Sequence, residues 1–151
     1  NWRRPAPNTI PWDTKASGLY MICTLSKHEA EKQGYTDSLM LDHDGNVAEA
    51  TGANIFFKDK NGEIHTPIPD SFLDGITRRT VIGIAKSKNI KVHERKISPS
   101  ELSNFVGCFL TGTAAEVTPV SRIAENQFKV CDTIINLNES YQALVRKKKA
   151  A

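Results

Sequence analysis

The sequence is poor in the residues that staple or decorate small folds. It has only three cysteines, Cys23, Cys108 and Cys131, two methionines and two tryptophans, and aromatic residues make up 7% of it. The cysteines are odd in number, widely spaced and set among apolar neighbours, with no CxxC pair or Cys/His cluster. That excludes a disulfide framework and a zinc finger, and points to free thiols in a reducing compartment. No apolar run approaches the ~18 residues of a membrane span, and no basic-start, apolar-core, small-residue pattern marks a secretory signal. Net charge is only +3. Its one concentrated piece, Arg146-Lys147-Lys148-Lys149, lacks the interleaved aromatics of a nucleic-acid face and reads as a solvated helix end. We expect no metal, no nucleic acid, no membrane and a cytoplasmic location.

What is present fits a globular domain. A chain of 151 residues, 39% apolar and 25% charged, can bury a core. Residues 1–12 hold Pro5, Pro7, Pro11 and both tryptophans and read as an extended connector; residues 13–151 read as one domain. A helix is expected from Asp13 to about Lys32, capped by Asp13 or Thr14, stopped by Gly34, with Ala16, Leu19, Tyr20, Cys23 and Leu25 as its apolar stripe. Strands follow at Ser38–Leu41, Val47–Ala50, Asn54–Phe57 and Glu63–Thr66, joined by the hairpin dipeptides Asp44-Gly45 and Asn61-Gly62. The pattern then alternates. A helix over Ile76–Ser87 carries Val81, Ile82, Ile84 and Ala85, and a strand covers Ile90–Glu94. Ser98-Pro99-Ser100-Glu101 has capping-box form, strands follow at Val106–Thr111 and Val117–Ile123, and a last helix runs from about Asp132 to Lys147. The fold class is α/β with a mixed sheet.

Four segments offer chemistry. Lys15 stands near a helix start, where the dipole disfavours a cation. It is either a solvated surface lysine or an amine whose proton is easily lost, as a Schiff-base lysine requires. Glu49 interrupts the small and apolar segment Val47–Asn54, and by alternation alone it faces either water or the interior, where it would need a partner. Asp74-Gly75-Ile76-Thr77 combines a tight turn, free helix-start N–H groups and a hydroxyl. That suits a phosphate and is also how many helices simply begin. Thr111-Gly112-Thr113-Ala114-Ala115 ends a strand in a small-residue turn that is either an ordinary loop or an anion nest.

Taken together and in this order, the strings Ala6–Pro11, Lys15–Tyr20, Glu49–Phe56, Leu73–Arg78 and Gly112–Pro119 resemble the class IV aminotransferases (PLP fold type IV), and among these the branched-chain amino acid aminotransferases. The resemblance covers nearly the whole chain. It implies the C-terminal, cofactor-binding domain of that fold, a pseudo-barrel of strands with flanking helices, and pyridoxal 5′-phosphate (PLP) as cofactor. By the same resemblance Lys15 forms the Schiff base and shuttles the proton, Tyr20 bonds the phenolic oxygen and Glu49 faces the pyridine nitrogen. Gly75, Ile76, Thr77 and Thr113 hold the phosphate, and Thr113, Ala114 and Ala115 receive the substrate carboxylate. The implied reaction moves an amino group between Leu, Ile or Val and 2-oxoglutarate. D-amino acid aminotransferases and lyases releasing 4-aminobenzoate share the lysine and glutamate, and a non-catalytic dimerisation domain is a third reading. Family members carry a further N-terminal domain that this sequence has no room for. The chain is therefore expected to be part of a longer, homo-oligomeric protein, binding PLP weakly and turning over poorly by itself.

Overall fold

Three glycines at positive φ, where a Cβ would be strained, punctuate the first half of the chain: Gly34, Gly45 and Gly62. Gly34 ends a helix, and the other two turn hairpins, as their sequence contexts predict. The computed structural model describes residues 2–146. A short 3-10 helix, Ser17–Leu19, leads into α1, Met21–Lys32. Strands β1 Leu39–Leu41, β2 Val47–Ala50, β3 Asn54–Lys58 and β4 Ile64–Thr66 then run as an antiparallel meander. Helix α2, Ile76–Ser87, carries the chain to β5, Val92–Glu94, which lies parallel to β4. That βαβ crossover makes the sheet mixed. After a 3-10 helix at Pro99–Asn104 come β6 Gly107–Gly112 and β7 Glu116–Pro119, a small hairpin β8 Arg122–Ile123 with β9 Asn126–Gln127, and α3 Asp132–Val145. Strand β6 pairs with the full length of β3 and with β7, giving a seven-stranded sheet.

The two faces of this sheet are packed differently. On one, Phe56 and Phe109 stack with ring centres 4.9 Å apart and meet Val81, Ile82 and Ala85 of α2 and Ile134, Leu137 and Tyr141 of α3. On the other, Val47, Ile55, Phe57 and Cys108 pack against Ile97, Leu102, Phe105 and Phe128. With both faces covered, β2 and nearly all of β3 are buried throughout.

Several expectations are corrected. Residues 13–16 are not helical: the first helical turn begins at Ser17, and neither Asp13 nor Thr14 caps it. On α1 the buried residues are Cys23 and Ser26, while Leu25 is exposed, so the expected stripe is displaced. Val117–Ile123 is not one strand. Pro119 pairs with Phe109 at the end of β7, where its missing N–H costs nothing, and the chain leaves the sheet after Val120 donates to Cys108 O. The Ser98 capping box forms, with the Ser98 N–H donating to Glu101 Oε1 at 2.8 Å, but it opens a 3-10 helix. Cys23 and Cys108 are buried free thiols; Cys131 is half-exposed before α3. The end of the expected last helix and the lysines of the basic run lie outside the described residues. Arg146, the run's first member, pairs with Glu116 at 2.8 Å. No helix among the described residues is long and apolar enough to cross a membrane.

Candidate active site

A bulge decides where Glu49 points. Strict alternation along β2 would put Val47 and Glu49 on one face. Instead Met40 pairs with Glu49 and Leu41 with Val47, so one extra β2 residue is accommodated between them. The bulge flips the side chains. Val47 joins the core away from the helices, and Glu49 turns to the helix-bearing face. There it heads a cross-strand row: Glu49 on β2 is opposite Asn54 on β3, which is opposite Thr111 on β6. All three are buried, and Thr111 Oγ1 has no hydrogen-bond partner among the described residues.

Glu49 is 7% exposed and has two neighbours holding its two oxygens. Arg4 Nε lies 3.4 Å from Oε1, and Asn54 Nδ2 donates to Oε2 at 3.4 Å. Burial pushes the carboxyl up to about 8, against the downward pull of Arg4. In the absence of another cation, burial wins. Arg4 had no distinguishing signal in the sequence, where it lies inside the proline-rich opening. It is 2% exposed and also donates to Ser71 O, Leu19 O and Cys23 Sγ. Its backbone N–H donates to Leu41 O, so the opening segment is docked beside β1. Tyr20 follows directly on Leu19. Burial raises its hydroxyl, and the Glu49 charge raises it further while Arg4 lowers it.

The start of α2 reaches the same row. Gly75 N–H donates to Asn54 Oδ1 at 3.2 Å, and Asn54 Nδ2 donates to Leu73 O at 2.9 Å. Gly75 caps α2 in extended geometry with no side-chain hydrogen bond, so the N–H groups of Ile76 and Thr77 are spared. Ile76 is exposed; the Thr77 hydroxyl is buried 3.4 Å from Tyr141 Oη, facing α3. Behind this turn Arg78 is 1% exposed and bonded to Asp74, Glu94 and Pro67 O, which fixes α2 to the strands.

The β6–β7 turn, with Thr113 and Ala114 exposed and Ala115 half-buried, stands at this end of the sheet too. Its base, Gly112, closes on the β2–β3 turn, where a Cβ at Gly112 would be 3.5 Å from Gly52 O. Glu116, at φ 48°, finishes the turn and is tied to α3 by Gln142 and Arg146. Glu49, Gly75 and the Thr113 turn are thus gathered at one sheet end. Lys15 is exposed in the irregular stretch before Ser17 and is connected to the row along the chain, through the Arg4-anchored Leu19.

A second cluster, Glu63, His65 and His93, places its candidate ligand atoms within 4.8 Å of one another. Those atoms are already engaged. His93 Nε2 meets Glu63 Oε2 at 2.6 Å, and Arg95 Nε donates to His65 Nδ1 at 3.2 Å, which leaves the His65 Nε2–H facing Asp59. Lys91 adds a second cation beside Glu63. Two fixed positive charges oppose a divalent ion, and we assign no metal to it.

The chain as a whole has known relatives. The model of the family described as "Amino-transferase class IV" matches residues 1–123. The chain belongs to that family. A probable branched-chain-amino-acid aminotransferase of Rickettsia bellii is 41% identical over 152 residues, covering 96% of this chain and 51% of the relative. The branched-chain aminotransferase of Thermoproteus uzoniensis, solved with norvaline, superposes at TM-score 0.91 with 36% identity, over 96% of this chain and 49% of that one. The branched-chain amino acid aminotransferase of Thermobaculum terrenum, solved in its PLP form, superposes at TM-score 0.91 with 33% identity, over 96% of this chain and 48% of that one. This class IV aminotransferase chain therefore spans about half the length of the relatives it matches.

Proposed function

We propose that the chain is the cofactor-binding half of a branched-chain amino acid aminotransferase, holding pyridoxal 5′-phosphate by Lys15. Completed by the rest of its protein, it would move an amino group between Leu, Ile or Val and 2-oxoglutarate. The observation that carries the reading is the row Glu49–Asn54–Thr111, buried beside an α2 start that has no side-chain cap. A buried acid at one end, spared N–H donors at the other and an unpartnered hydroxyl between strands fit a ligand with a basic ring nitrogen and a phosphate. The solved relatives named above support the same ligand class, because the Thermobaculum terrenum enzyme was solved in its PLP form.

Bound there, the cofactor supplies an electron sink for the pair left when the substrate Cα loses its proton. The residues divide the remaining work. Glu49, once facing a ring nitrogen, keeps a proton on it. That added cation reverses the upward push of burial on its own carboxyl. The N–H groups of Ile76 and Thr77, oriented along the α2 axis, would receive the phosphate, with Gly75 setting the turn that exposes them and Thr113 adding a hydroxyl. Tyr20 donates to the phenolic oxygen. The Thr113–Ala115 turn offers N–H groups to the substrate carboxylate. Lys15, exposed and free of the sheet packing, carries the cofactor and afterwards takes and returns the Cα proton. The missing half would close the substrate side-chain pocket, and we expect the complete protein to be an oligomer in the cytoplasm.

Absorbance and labelling test this. The 151-residue chain mixed with PLP should turn yellow, and borohydride followed by peptide mapping should tag the peptide containing Lys15. Turnover of leucine by this piece alone should be poor. A chain that stays colourless and untagged in excess PLP overturns the reading.

A further inference from the structure

We infer that Asn54 is a positioning residue that ties the acid end of the proposed site to its phosphate end. The inference rests on the function proposed above and deepens it.

Asn54 is buried on β3 between Glu49 and Thr111, so its side chain has no rotational freedom to waste. Its amide nitrogen donates to Glu49 Oε2 at 3.4 Å and to Leu73 O at 2.9 Å. Its amide oxygen accepts from Gly75 N–H at 3.2 Å. One planar group therefore touches the buried carboxylate, the loop before α2 and the N-cap of α2. A ligand with a ring nitrogen at one end and a phosphate at the other would meet, at each end, a group that Asn54 holds in place.

The contact with Gly75 is also steric. Gly75 sits at φ −63°, ψ 145°, which any residue adopts. A Cβ there would lie 2.5 Å from Asn54 Oδ1. Glycine is needed at this position for room, not for the tight turn its sequence suggests. Asn54 thus sets how closely the α2 start approaches β3. It also consumes the Gly75 N–H, leaving the donors of Ile76 and Thr77 for an anion. At the other end it completes the grip on Glu49: Arg4 is beside Oε1 and Asn54 holds Oε2. An aspartate would still accept from Gly75 but would lose both donor bonds and set a second negative charge against Glu49. An alanine would lose every contact.

The test uses the full chain as wild type, Asn54→Asp and Asn54→Ala. Glu49 titration and Gly75 amide exchange are followed by NMR, and PLP binding by absorbance. In Asn54→Ala the Gly75 amide should exchange faster, the Glu49 titration should move, and PLP affinity should fall about tenfold or more, the loss of a hydrogen bond to a charged group. In Asn54→Asp the Gly75 amide should stay protected while Glu49 titrates higher than in Asn54→Ala. A purely structural asparagine would not separate the two readouts in this way. Unchanged Glu49 titration and Gly75 protection in Asn54→Ala, or unchanged PLP affinity in both variants, overturns the inference. A wild-type chain that takes up no PLP sinks the proposed function, and the NMR arm then decides the Asn54 tie by itself. Should Asn54→Ala not fold, Asn54→Asp and Asn54→Ser decide the same question.

Discussion

Arg4 and Glu49 meet at 3.4 Å with side-chain exposures of 2% and 9%, and Arg4 shares its guanidinium with Ser71 O and Leu19 O. Removing Arg4 strips a donor from three buried acceptors, Glu49, Ser71 O and Leu19 O, at about 1–3 kcal/mol apiece, and a total of about 3–5 kcal/mol is expected. Arg4→Met should lose about that much in urea unfolding. Arg4→Lys should rescue little, since a point charge cannot serve three acceptors in fixed directions. Glu49→Gln introduced into Arg4→Met should recover part of the loss only in alkaline solution, where the Glu49 carboxyl ionises. A cost below about 1 kcal/mol, the scale of an exposed pair, would contradict the pairing.

The same pair sets a pH dependence. Glu49 titrates higher in the folded chain than its ordinary value, because burial outweighs Arg4. The folded state therefore holds this proton more tightly than the unfolded one. Its stabilising contribution is complete below about 4.5 and is lost as the pH rises to about 8. Asp42 and Glu116 act in the opposite sense. Burial alone would raise Asp42, but Lys96 at 2.9 Å and the Asn46 bonds bring it below its ordinary value. Hydrogen bonds from Gln142 and then Arg146 lower Glu116. Their contributions are lost as the pH falls through the carboxylate range. Stability of the chain without cofactor should therefore peak in mildly acidic solution and decline toward pH 8, at most about 1.4 kcal/mol per pH unit for a single group. Glu49→Gln should flatten the alkaline limb and leave the acid limb alone. A wild-type stability that rises between pH 5 and 8 would contradict the raised titration.

Gly75 and Asn54 should show a steric double-mutant cycle. Gly75→Ala drives a methyl to 2.5 Å from Asn54 Oδ1. Because backbone and buried amide both resist movement, overpacking of about 1–3 kcal/mol is expected in thermal unfolding. Asn54→Ala/Gly75→Ala should cost less than the sum of the two single changes, since the obstructing oxygen is gone. Additive effects would mean that the α2 start simply moves aside.

Much of the scaffold was legible because its signals are local. The hairpin glycines, the α2 periodicity and the Ser98 capping box each depend on a few neighbouring residues, and each forms. The site was legible only as separate strings. Glu49 shows why: its orientation is set by a bulge opposite Met40 and Leu41, which no reading of β2 by itself contains. Arg4 shows it more sharply. A second arginine among prolines looks like a solvated connector, and its buried role depends on Leu19, Cys23, Glu49 and Ser71, all far along the chain. Gly75 was noticed for the wrong physical reason, because the amide that demands its missing Cβ belongs to another strand. Leu25 is exposed although it was expected in the buried stripe, because the apolar stripe of α1 is weak and the helix buries Cys23, beside Arg4, together with Ser26.

The division between scaffold and chemistry gives the last prediction. Lys15 is exposed and lies outside both hydrophobic clusters. Lys15→Ala should therefore change stability by no more than about 0.5 kcal/mol, the scale of an ordinary surface substitution. Phe109, fully buried and stacked on Phe56, should cost about 3–5 kcal/mol as Phe109→Ala. On PLP labelling the order should invert. Phe109→Ala, held at low temperature where it remains folded, should still be tagged by borohydride, and Lys15→Ala should not. If Lys15→Ala destabilised the chain by more than about 2 kcal/mol, the lysine would be packed into the fold, and loss of the label could no longer be read as loss of an amine. If Lys15→Ala were tagged as strongly as wild type, another lysine would be carrying the aldehyde, and the assignment of Lys15 would fail while that of the buried row could stand.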